Sequence, residues 1–484
     1  MQTEEKIHHA PRFKVLSEAQ CQSLYQSALQ CLAQIGVRVY NPEGRALLQA
    51  AGATRQDELV RIPPGIIQQA LATTPGAFQL WSRDGSYSLE VAPGRVYFGP
   101  GPTCTYFIDP ESGARRLGRR GDAGLTAKVC DALQQIDFVM SLCIYADVPA
   151  VLSPVFEFAD MLTQTNKPIA AWANDGPTLQ AIYALAQAAA GGREAFLRKP
   201  SFVYFSTYQS PLQHKDEPLG TALWAAAQGI PVVYLGGPTV GLESPVTSAS
   251  GLVLYLAAAL SGLAMIQLKA PGAAVAIGGV PSVMDMFTAR PAYGSPEMSL
   301  NTAAACELAS YLNLPFMGTA GASESKGLDA QTGVEITSQI LLAALSGAGL
   351  VHDVGFLDCA DIGSLDLLVL ADEVIAYSKR ILRGIEVSPE TIMLELIEKV
   401  GPGGQFITEP ESARLCRREV WVPKLFDRQP FMQWEQKGAQ LTAARARTRV
   451  QQILSQHQPH PLPQAVLAQI ESILEAEVRR VTAL

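Results

Sequence analysis

Residues 314–357 read LPFMGTAGASESKGLDAQTGVEITSQILLAALSGAGLVHDVGFL, and this stretch decides the fold. It begins and ends with short apolar runs that are typical of buried strands, and the long apolar run between them is typical of a helix. A segment of small and polar residues joins the first strand to the helix. A strand, a helix and a second strand in this order predict one unit of a parallel sheet that is covered by helices.

The same alternation occurs eight times between residues 95 and 385. The strand-like runs are VYFGPG, FVMSLCIYA, KPIAAWAND, SFVYFSTY, PVVYLGGPT, AAVAIGGVPS, LPFMGTAGAS and LVHDVGFL. Eight strand–helix units in roughly 290 residues match the count and size of a (β/α)8 TIM barrel, which is the fold that we predict. An open, doubly wound sheet is the alternative, but no GxGxxG motif opens the first unit.

The barrel section is flanked by two additions. Residues 1–94 are predicted to form an N-terminal extension packed on the barrel, with helices in LYQSALQCLAQIGV and PPGIIQQALATTP followed by a short β section. Residues 386–484 lack the strand rhythm and are predicted to form a C-terminal helical appendage. We expect this appendage to cover the barrel or to make an oligomer contact.

Composition limits the class of protein. The chain has 484 residues, of which 48% are hydrophobic and 17% charged, so it is globular with a large core. Its net charge of −8 argues against nucleic acid or an anionic membrane surface as the main partner. The eight cysteines show no close spacing, which disfavours a zinc cluster or a disulfide framework, and the polar N-terminus is not a signal peptide. We therefore expect a cytoplasmic protein.

One apolar stretch is long enough to cross a bilayer. Residues 248–268, SASGLVLYLAAALSGLAMIQL, carry no charge. They also fall within the regular series of strands and helices. We expect a buried helix that runs into a short apolar strand, and no membrane span.

Active sites of TIM barrels lie where the strands end, and here those positions are rich in aromatic and acidic residues. Such groups around one cavity suit a quaternary ammonium ion, which is bound by cation–π contacts and by charge. The alternative is that the rings only pack beneath the helices; Trp172 is the ring that we favour for the pocket. The candidate substrate-binding residues are Trp172, Tyr204, Tyr208, Tyr234, Asp285, Glu297 and His352.

Metal and nucleophile chemistry have little support in the sequence. His352 and Asp353 are neighbours at a strand end, and neighbours on a strand point to opposite faces, so we do not expect them to share a metal. A structural role for His352 is the favoured reading, with substrate contact as the alternative. No GxSxG, SxxK or HExxH motif is present in the chain. We expect no metal site and no catalytic nucleophile.

The order of motifs resembles the trimethylamine methyltransferase family of corrinoid-dependent enzymes. The motifs are GPGPTCTYFIDPESGARRLGRRGD, GGPTVGLESPVTSASGLVL, GGVPSVMDMFTARPAYGSPEMSLNTAAACELASYLNLP and GTAGASESKGLDAQTGVEITSQILLAALSGAGLVHDVGFLD, followed by LVLADEVI and VGPGGQF. The likeness implies a TIM barrel that moves a methyl group from a methylated amine to the Co(I) centre of a separate corrinoid protein. The cofactor would be a corrinoid (cobalamin) on that partner or supplied in trans, and methanogenesis is a related process.

Archaeal trimethylamine members carry pyrrolysine in the loop after a late strand, and that position aligns near Ala330. Since no pyrrolysine is present, the chain is similar to the branch that demethylates quaternary amines such as glycine betaine. The resemblance implies a corrinoid-facing loop of Ser323, Lys326, Asp329, Ala330 and Gln331. Lys326 is alternatively a partner for a substrate carboxylate. We also expect a homo-oligomer.

One segment departs from the family pattern. Many members have a histidine–threonine pair after GPGG, whereas this chain continues with Pro410, Glu411 and Ser412. This change bears on which amine is bound. Two other functions remain open: a TIM-barrel lyase or aldolase that uses Lys326 as a Schiff base, which requires Lys326 to point into the barrel without an acidic partner, and a betaine-binding protein without turnover.

Overall fold

The computed structural model describes residues 11–482, and its first part combines helices with short strands. The elements are α1 (Glu18–Gln34), β1 (Val37–Val39), α2 (Pro42–Ala50), β2 (Thr54–Gln56), β3 (Leu59–Arg61), α3 (Pro64–Thr73), β4 (Phe78–Trp81) and β5 (Ser88–Val91). Helix α1 begins after Ser17, whose hydroxyl accepts a hydrogen bond from the backbone of Gln20 in a capping box. Strands β1 to β3 pair antiparallel where the sequence indicated only helices.

Strands and helices alternate through the central part of the chain. The elements are β6 (Val96–Pro100), β7 (Tyr106–Ile108), β8 (Arg115–Leu117), α4 (Asp122–Ala132), α5 (Ser153–Gln164), β9 (Ile169–Ala171), α6 (Gly176–Ala190), α7 (Arg193–Arg198), β10 (Phe202–Thr207), β11 (Gln213–His214), α8 (Asp216–Ala227), β12 (Val232–Leu235), α9 (Ser248–Lys269), β13 (Val275–Gly278), β14 (Met284–Asp285), β15 (Arg290–Pro291), α10 (Pro296–Tyr311), β16 (Phe316–Thr319), α11 (Ala330–Ser346), β17 (Gly349–Val354), β18 (Phe356–Leu357), β19 (Ile362–Gly363) and α12 (Leu365–Leu382).

Seven of these strands form one parallel sheet, in the order β6-β17-β16-β13-β12-β10-β9. The sheet is closed by residues 136–139, which bridge Phe98 on β6 through Ile136 and Ile169 on β9 through Val139. This closing segment is irregular because the Asp137 carboxylate accepts the Phe98 N–H at 2.9 Å, in place of a backbone carbonyl. Together, the seven strands and this closing segment make an eight-membered barrel, and the predicted (β/α)8 fold is confirmed.

Alternate residues of the strands fill the barrel. The buried interior contains Phe138, Met140, Ala170, Val203, Phe205, Val233, Leu235, Ala276, Met317 and Leu350. The β4–β5 hairpin adds Phe78, Leu80, Leu89 and Val91 to this cluster. It enters from the amino-terminal end, because the Trp81 N–H donates to the carbonyl of Pro200, just before β10. The opposite, carboxyl end is the one left for a site.

Helix α9 is the apolar stretch that the sequence singled out. It is long and apolar enough to cross a membrane, yet 78% of its most apolar 18-residue window is buried inside the protein. The helix runs without interruption to Lys269, and β13 follows only at Val275. The short strand predicted at its end is therefore absent from residues 248–268, whereas the buried helix is present.

The rest of the chain is helical. The elements are α13 (Pro389–Ile392), α14 (Leu394–Val400), α15 (Pro410–Glu419), α16 (Phe431–Gln436), α17 (Thr442–Gln456) and α18 (Gln464–Thr482). Helix α17 packs on α12 and α4 and buries Ala446, Val450 and Ile453, and α18 packs on α5 and α6. Helices α13 to α16 bury no side chain at all.

Candidate active site

His352 and Asp353 lie together at the carboxyl end of β17. The pairing register shifts between Val351 and Val354, and Asp353 has a φ of +77°. This irregularity breaks the alternation of side chains, so that Asp353 Oδ1 lies 2.5 Å from His352 Nδ1. The expectation that the two side chains point to opposite faces was wrong for this reason. Thr319 on β16 donates to the other carboxylate oxygen at 2.6 Å.

The second ring nitrogen of His352 has no partner. The residue is 3% exposed, and its Nε2 is a buried polar atom without a hydrogen bond. The imidazole packs edge-on against Phe205 of the barrel interior, with 5.6 Å between ring centroids. When Nδ1 donates to Asp353, Nε2 accepts a hydrogen bond in the neutral ring and donates one in the imidazolium. Because buried polar atoms are usually hydrogen-bonded, this nitrogen is a candidate contact for a ligand.

Trp172 is the aromatic residue that follows β9, and it packs against the barrel interior. Its indole N–H donates to Glu157 Oε2 at 2.9 Å, and the Ser153 hydroxyl donates to Glu157 Oε1 at 2.5 Å. Glu157 lies on α5 and is 1% exposed, and this burial raises the pKa of its carboxyl to about 7. The indole is thus held by a buried acid behind it.

The three predicted tyrosines lie outside the barrel interior. Residues 203 and 205 point inward, so Tyr204 points outward and donates to Thr221 on α8 at 2.8 Å. The Tyr234 hydroxyl lies 2.9 Å from His214 Nδ1. Tyr208 is also buried and donates to the carbonyl of Tyr255 on α9 at 3.4 Å. The predicted cation cage on these rings is therefore not formed, because they pack between strands and helices.

The two acids proposed to supply charge lie beyond the strand ends. Asp285 closes the β14–β15 hairpin: its carboxylate accepts from the backbone of Phe287 at 2.9 Å and from the hydroxyl of Thr288 at 2.7 Å. These bonds, with the one from Phe287 first, lower the pKa of Asp285. Glu297 is exposed in the first turn of α10. The structure places neither acid inside the barrel.

The polar loop between β16 and α11 is bonded within itself. Ser323 donates to Glu335 at 2.6 Å, and Ser325 donates to Asp329 at 2.8 Å. Asp329 caps α11 by accepting from the backbone of Thr332 at 2.9 Å. The hydroxyls of this loop are thus satisfied locally.

The remaining predicted residues of this loop lie at its outer side. Gln331 donates to Glu335 at 2.8 Å, and Ala330 is the first residue of α11. The Lys326 side chain is 70% exposed and lies 3.4 Å from Asp358, which also pairs with Arg290 at 3.0 Å. Because Lys326 is outside the barrel and has an acidic partner, it does not meet the conditions for a Schiff-base lysine.

Several residues near the site were missed in the sequence. Tyr293, on the segment between β15 and α10, is partly buried, and this burial together with the nearby Asp353 raises its pKa. Phe205 and Thr319 lie near His352, and only the alternation of interior positions could have found them. Glu157 had a signal, since it is an acid flanked by phenylalanines in the largely apolar run VFEFADML.

Comparisons with known proteins identify the family of this chain. A family profile described as Trimethylamine methyltransferase (MTTB) matches residues 1–480. A trimethylamine methyltransferase of Methanosarcina mazei is 31% identical over 474 residues, which cover 94% of this chain and 93% of that protein. The chain belongs to the trimethylamine methyltransferase family.

Two further relatives extend the comparison. A glycine betaine methyltransferase of Desulfitobacterium hafniense is 24% identical over 466 residues, covering 96% of this chain and 97% of that protein. The crystal structure of the Methanosarcina barkeri monomethylamine methyltransferase superposes with a TM-score of 0.54 at 11% identity, covering 96% of this chain and 88% of that one. The latter likeness concerns the fold, which it shares with this member of the trimethylamine methyltransferase family.

Membership of the family makes this chain a methyltransferase. Within residues 11–482, no three histidine, cysteine or acidic side chains are grouped so that they could hold a metal ion. At the carboxyl end of the barrel, an imidazole and an indole each contact a buried acid.

Proposed function

We propose that this member of the family moves a methyl group from a quaternary amine of the glycine betaine type to a corrinoid protein. The observation that carries the proposal is the unpartnered Nε2 of His352, buried at the carboxyl end of an aromatic-lined barrel. Support comes from the family profile and from the glycine betaine methyltransferase among the relatives.

The residues at this end suit the two ends of a betaine. As an imidazolium, His352 donates from Nε2 to the substrate carboxylate, while Asp353 stabilises the positive ring through Nδ1. The indole of Trp172 offers its face to the ammonium group, which has no hydrogen to donate. Together these contacts orient one N–CH3 group for transfer.

A quaternary amine also fits the lack of an activating group. A quaternary ammonium already carries a neutral leaving group, whereas a tertiary amine must first be activated. Relatives that use trimethylamine carry pyrrolysine near the position of Ala330, where this chain has only a methyl side chain at the start of α11. The substrate that we propose needs no such residue.

The corrinoid, carried by a partner protein, supplies the nucleophilic Co(I) that accepts the methyl group. The surface that would face the partner is open at two glycines: a Cβ atom added at Gly327 in the loop, or at Gly333 in the first turn of α11, would meet nothing within 4 Å. Ser323, Asp329 and Gln331 hold this surface in place through the bonds described above, and Ala330 begins α11 beside them. The surface of this loop is therefore compatible with the approach of a corrinoid protein from outside the barrel.

The decisive experiment mixes the protein with reduced Co(I) cobalamin and single amines. We expect loss of the Co(I) absorption with one of glycine betaine, proline betaine or carnitine, and none with trimethylamine. Each amine without the protein is the control. Turnover of trimethylamine alone, or of no amine, would contradict the proposal. Binding of a betaine without loss of Co(I) would favour a binding protein instead.

A further inference from the structure

The segment between α12 and α17 differs from the rest of the molecule in its packing. We call residues 385–441 the C-terminal arm; of its side chains only Leu425 is buried. The arm leaves the barrel after α12 and returns at α17, which is packed on α12 and α4. Both ends are thus fixed, while four helices between them have no core of their own.

The arm is nevertheless rich in apolar side chains. Twelve of the 26 exposed large hydrophobic residues in the described part of the chain belong to it. They are Ile385, Val387, Ile392, Leu394, Ile397, Phe406, Ile407, Val420, Val422, Phe431, Met432 and Leu441. Together they expose on the order of 1,000 Å² of apolar surface along the arm.

This apolar surface does not belong to a loose tail. The buried carboxylate of Glu373 on α12 accepts three backbone N–H groups of the arm, from Lys424 at 2.8 Å, Leu425 at 3.0 Å and Phe426 at 3.2 Å. Trp421 packs edge-on against Tyr377 of α12, with 5.6 Å between centroids. Residues 421–426 therefore attach the arm to α12, and its exposed apolar side chains are available to a partner.

The charges of the arm identify the partner. Residues 385–412 contain six glutamates and one lysine, a net charge of −5, whereas residues 413–441 contain six basic and three acidic residues, a net charge of +3. If two arms pair antiparallel about a twofold axis, the acidic half of each lies against the basic half of the other. Such self-complementarity is what an interface between identical chains requires.

We propose that the C-terminal arm is the interface of a homodimer, in which two arms pair antiparallel about a twofold axis. The exposed apolar area matches the roughly 800 Å² per partner of a standard interface. Glu395, Glu398, Arg414 and Arg417 are exposed and form no salt bridge within the described part of the chain. They are the charges available for pairing between the two arms.

The first test replaces apolar arm residues and measures mass in solution. The wild-type protein should sediment at twice its 51.8 kDa, and the double variant Leu394→Asp, Ile407→Asp should sediment as a monomer, with a dissociation constant raised roughly 100-fold. The matched control is Val246→Asp, Val334→Asp, because these valines are equally exposed elsewhere, and it should remain dimeric. A monomeric wild-type protein would overturn the proposal.

The second test identifies the partner as a second copy. Glu395→Arg with Glu398→Arg changes the net charge of the arm from −2 to +2, and Arg414→Glu with Arg417→Glu changes it from −2 to −6. Each double variant alone should be monomeric, while an equimolar mixture of the two should form a dimer. If each variant dimerises alone, or if the mixture stays monomeric while both retain the wild-type circular dichroism, the antiparallel pairing is refuted.

Discussion

At the scale of single residues, strain and an unsatisfied polar atom occur side by side. Asp353 has a φ of +77°, which costs a residue other than glycine on the order of 1–3 kcal/mol. Beside it, the buried Nε2 of His352 has no partner, and an unpaired buried atom costs about 1–3 kcal/mol more. Neither feature stabilises the barrel, and both are explained if the pair is shaped to bind a ligand.

Replacing His352 should therefore impair the reaction of an amine that carries a carboxylate more than that of an amine without one. In His352→Asn, kcat/KM for the betaine should fall about 100-fold, which corresponds to loss of a charged hydrogen bond. A quaternary amine without a carboxylate, such as tetramethylammonium, should lose about fivefold or less. The rate of Co(I) loss with each amine measures both. Equal losses for the two amines would refute a contact between His352 and the carboxylate.

The sequence predicts that the site lies at the strand ends, but it does not predict which side chains enter the barrel. Which ring enters the barrel depends on strand parity: residues 203 and 205 point inward, so Tyr204 points outward. The sequence does not show which alternate residues of these strands point inward, since both faces of each strand are buried and apolar. Trp172 was favoured for the pocket and does pack against the interior, whereas Tyr204, Tyr208 and Tyr234 do not.

At the scale of elements, long apolar runs predicted the helices of all eight units and seven of the eight strands, whereas the predicted strand FVMSLCIYA is not regular. Two kinds of element escaped prediction. The segment at residues 136–139, which closes the barrel, is irregular because the side chain of Asp137 replaces a backbone acceptor. The strands β1 to β3 have three residues each and owe their existence to pairing with one another and with β11. Pairing between distant segments leaves no periodic pattern in the sequence.

Helix α5 places Glu157 behind Trp172, and this contact gives a pH dependence of stability. Burial raises the pKa of Glu157 to about 7 from its ordinary 4.5. The folded protein therefore keeps this proton up to about pH 7, whereas the unfolded chain releases it near pH 4.5. The free energy of unfolding should fall as pH rises through this window, by on the order of 3 kcal/mol.

Glu157→Gln should abolish that fall, because an amide does not ionise but still accepts from the Trp172 N–H. Relative to the wild type, the variant should gain stability between pH 5 and pH 8, as measured by urea unfolding at both values. Glu471→Gln on the exposed face of α18 is the control and should follow the wild type. An unchanged pH dependence in Glu157→Gln would show that another group is responsible.

At the scale of the whole molecule, the two ends of the barrel differ: one is filled by apolar side chains, and the other is where we propose methyl transfer. The amino-terminal end is filled by the β4–β5 hairpin, whose Leu80 is fully buried. The carboxyl end holds Trp172, His352 and Asp353. The C-terminal arm is attached to α12 and exposes apolar side chains, on which the proposed association depends. Stability, methyl transfer and association should therefore be separable by mutation.

Paired substitutions at the two ends test that separation. Leu80→Ala should lower the free energy of unfolding by about 3 kcal/mol, as removal of a buried leucine side chain does, and should leave kcat and KM for the betaine unchanged. Trp172→Leu should raise KM about 10-fold through loss of the cation–π contact, with a smaller loss of stability because the indole is only partly buried. Urea unfolding and Co(I) absorption report the two quantities independently. If Leu80→Ala changed KM as much as Trp172→Leu, the two ends would be coupled, because the hairpin would then be setting the geometry at the opposite end of the barrel.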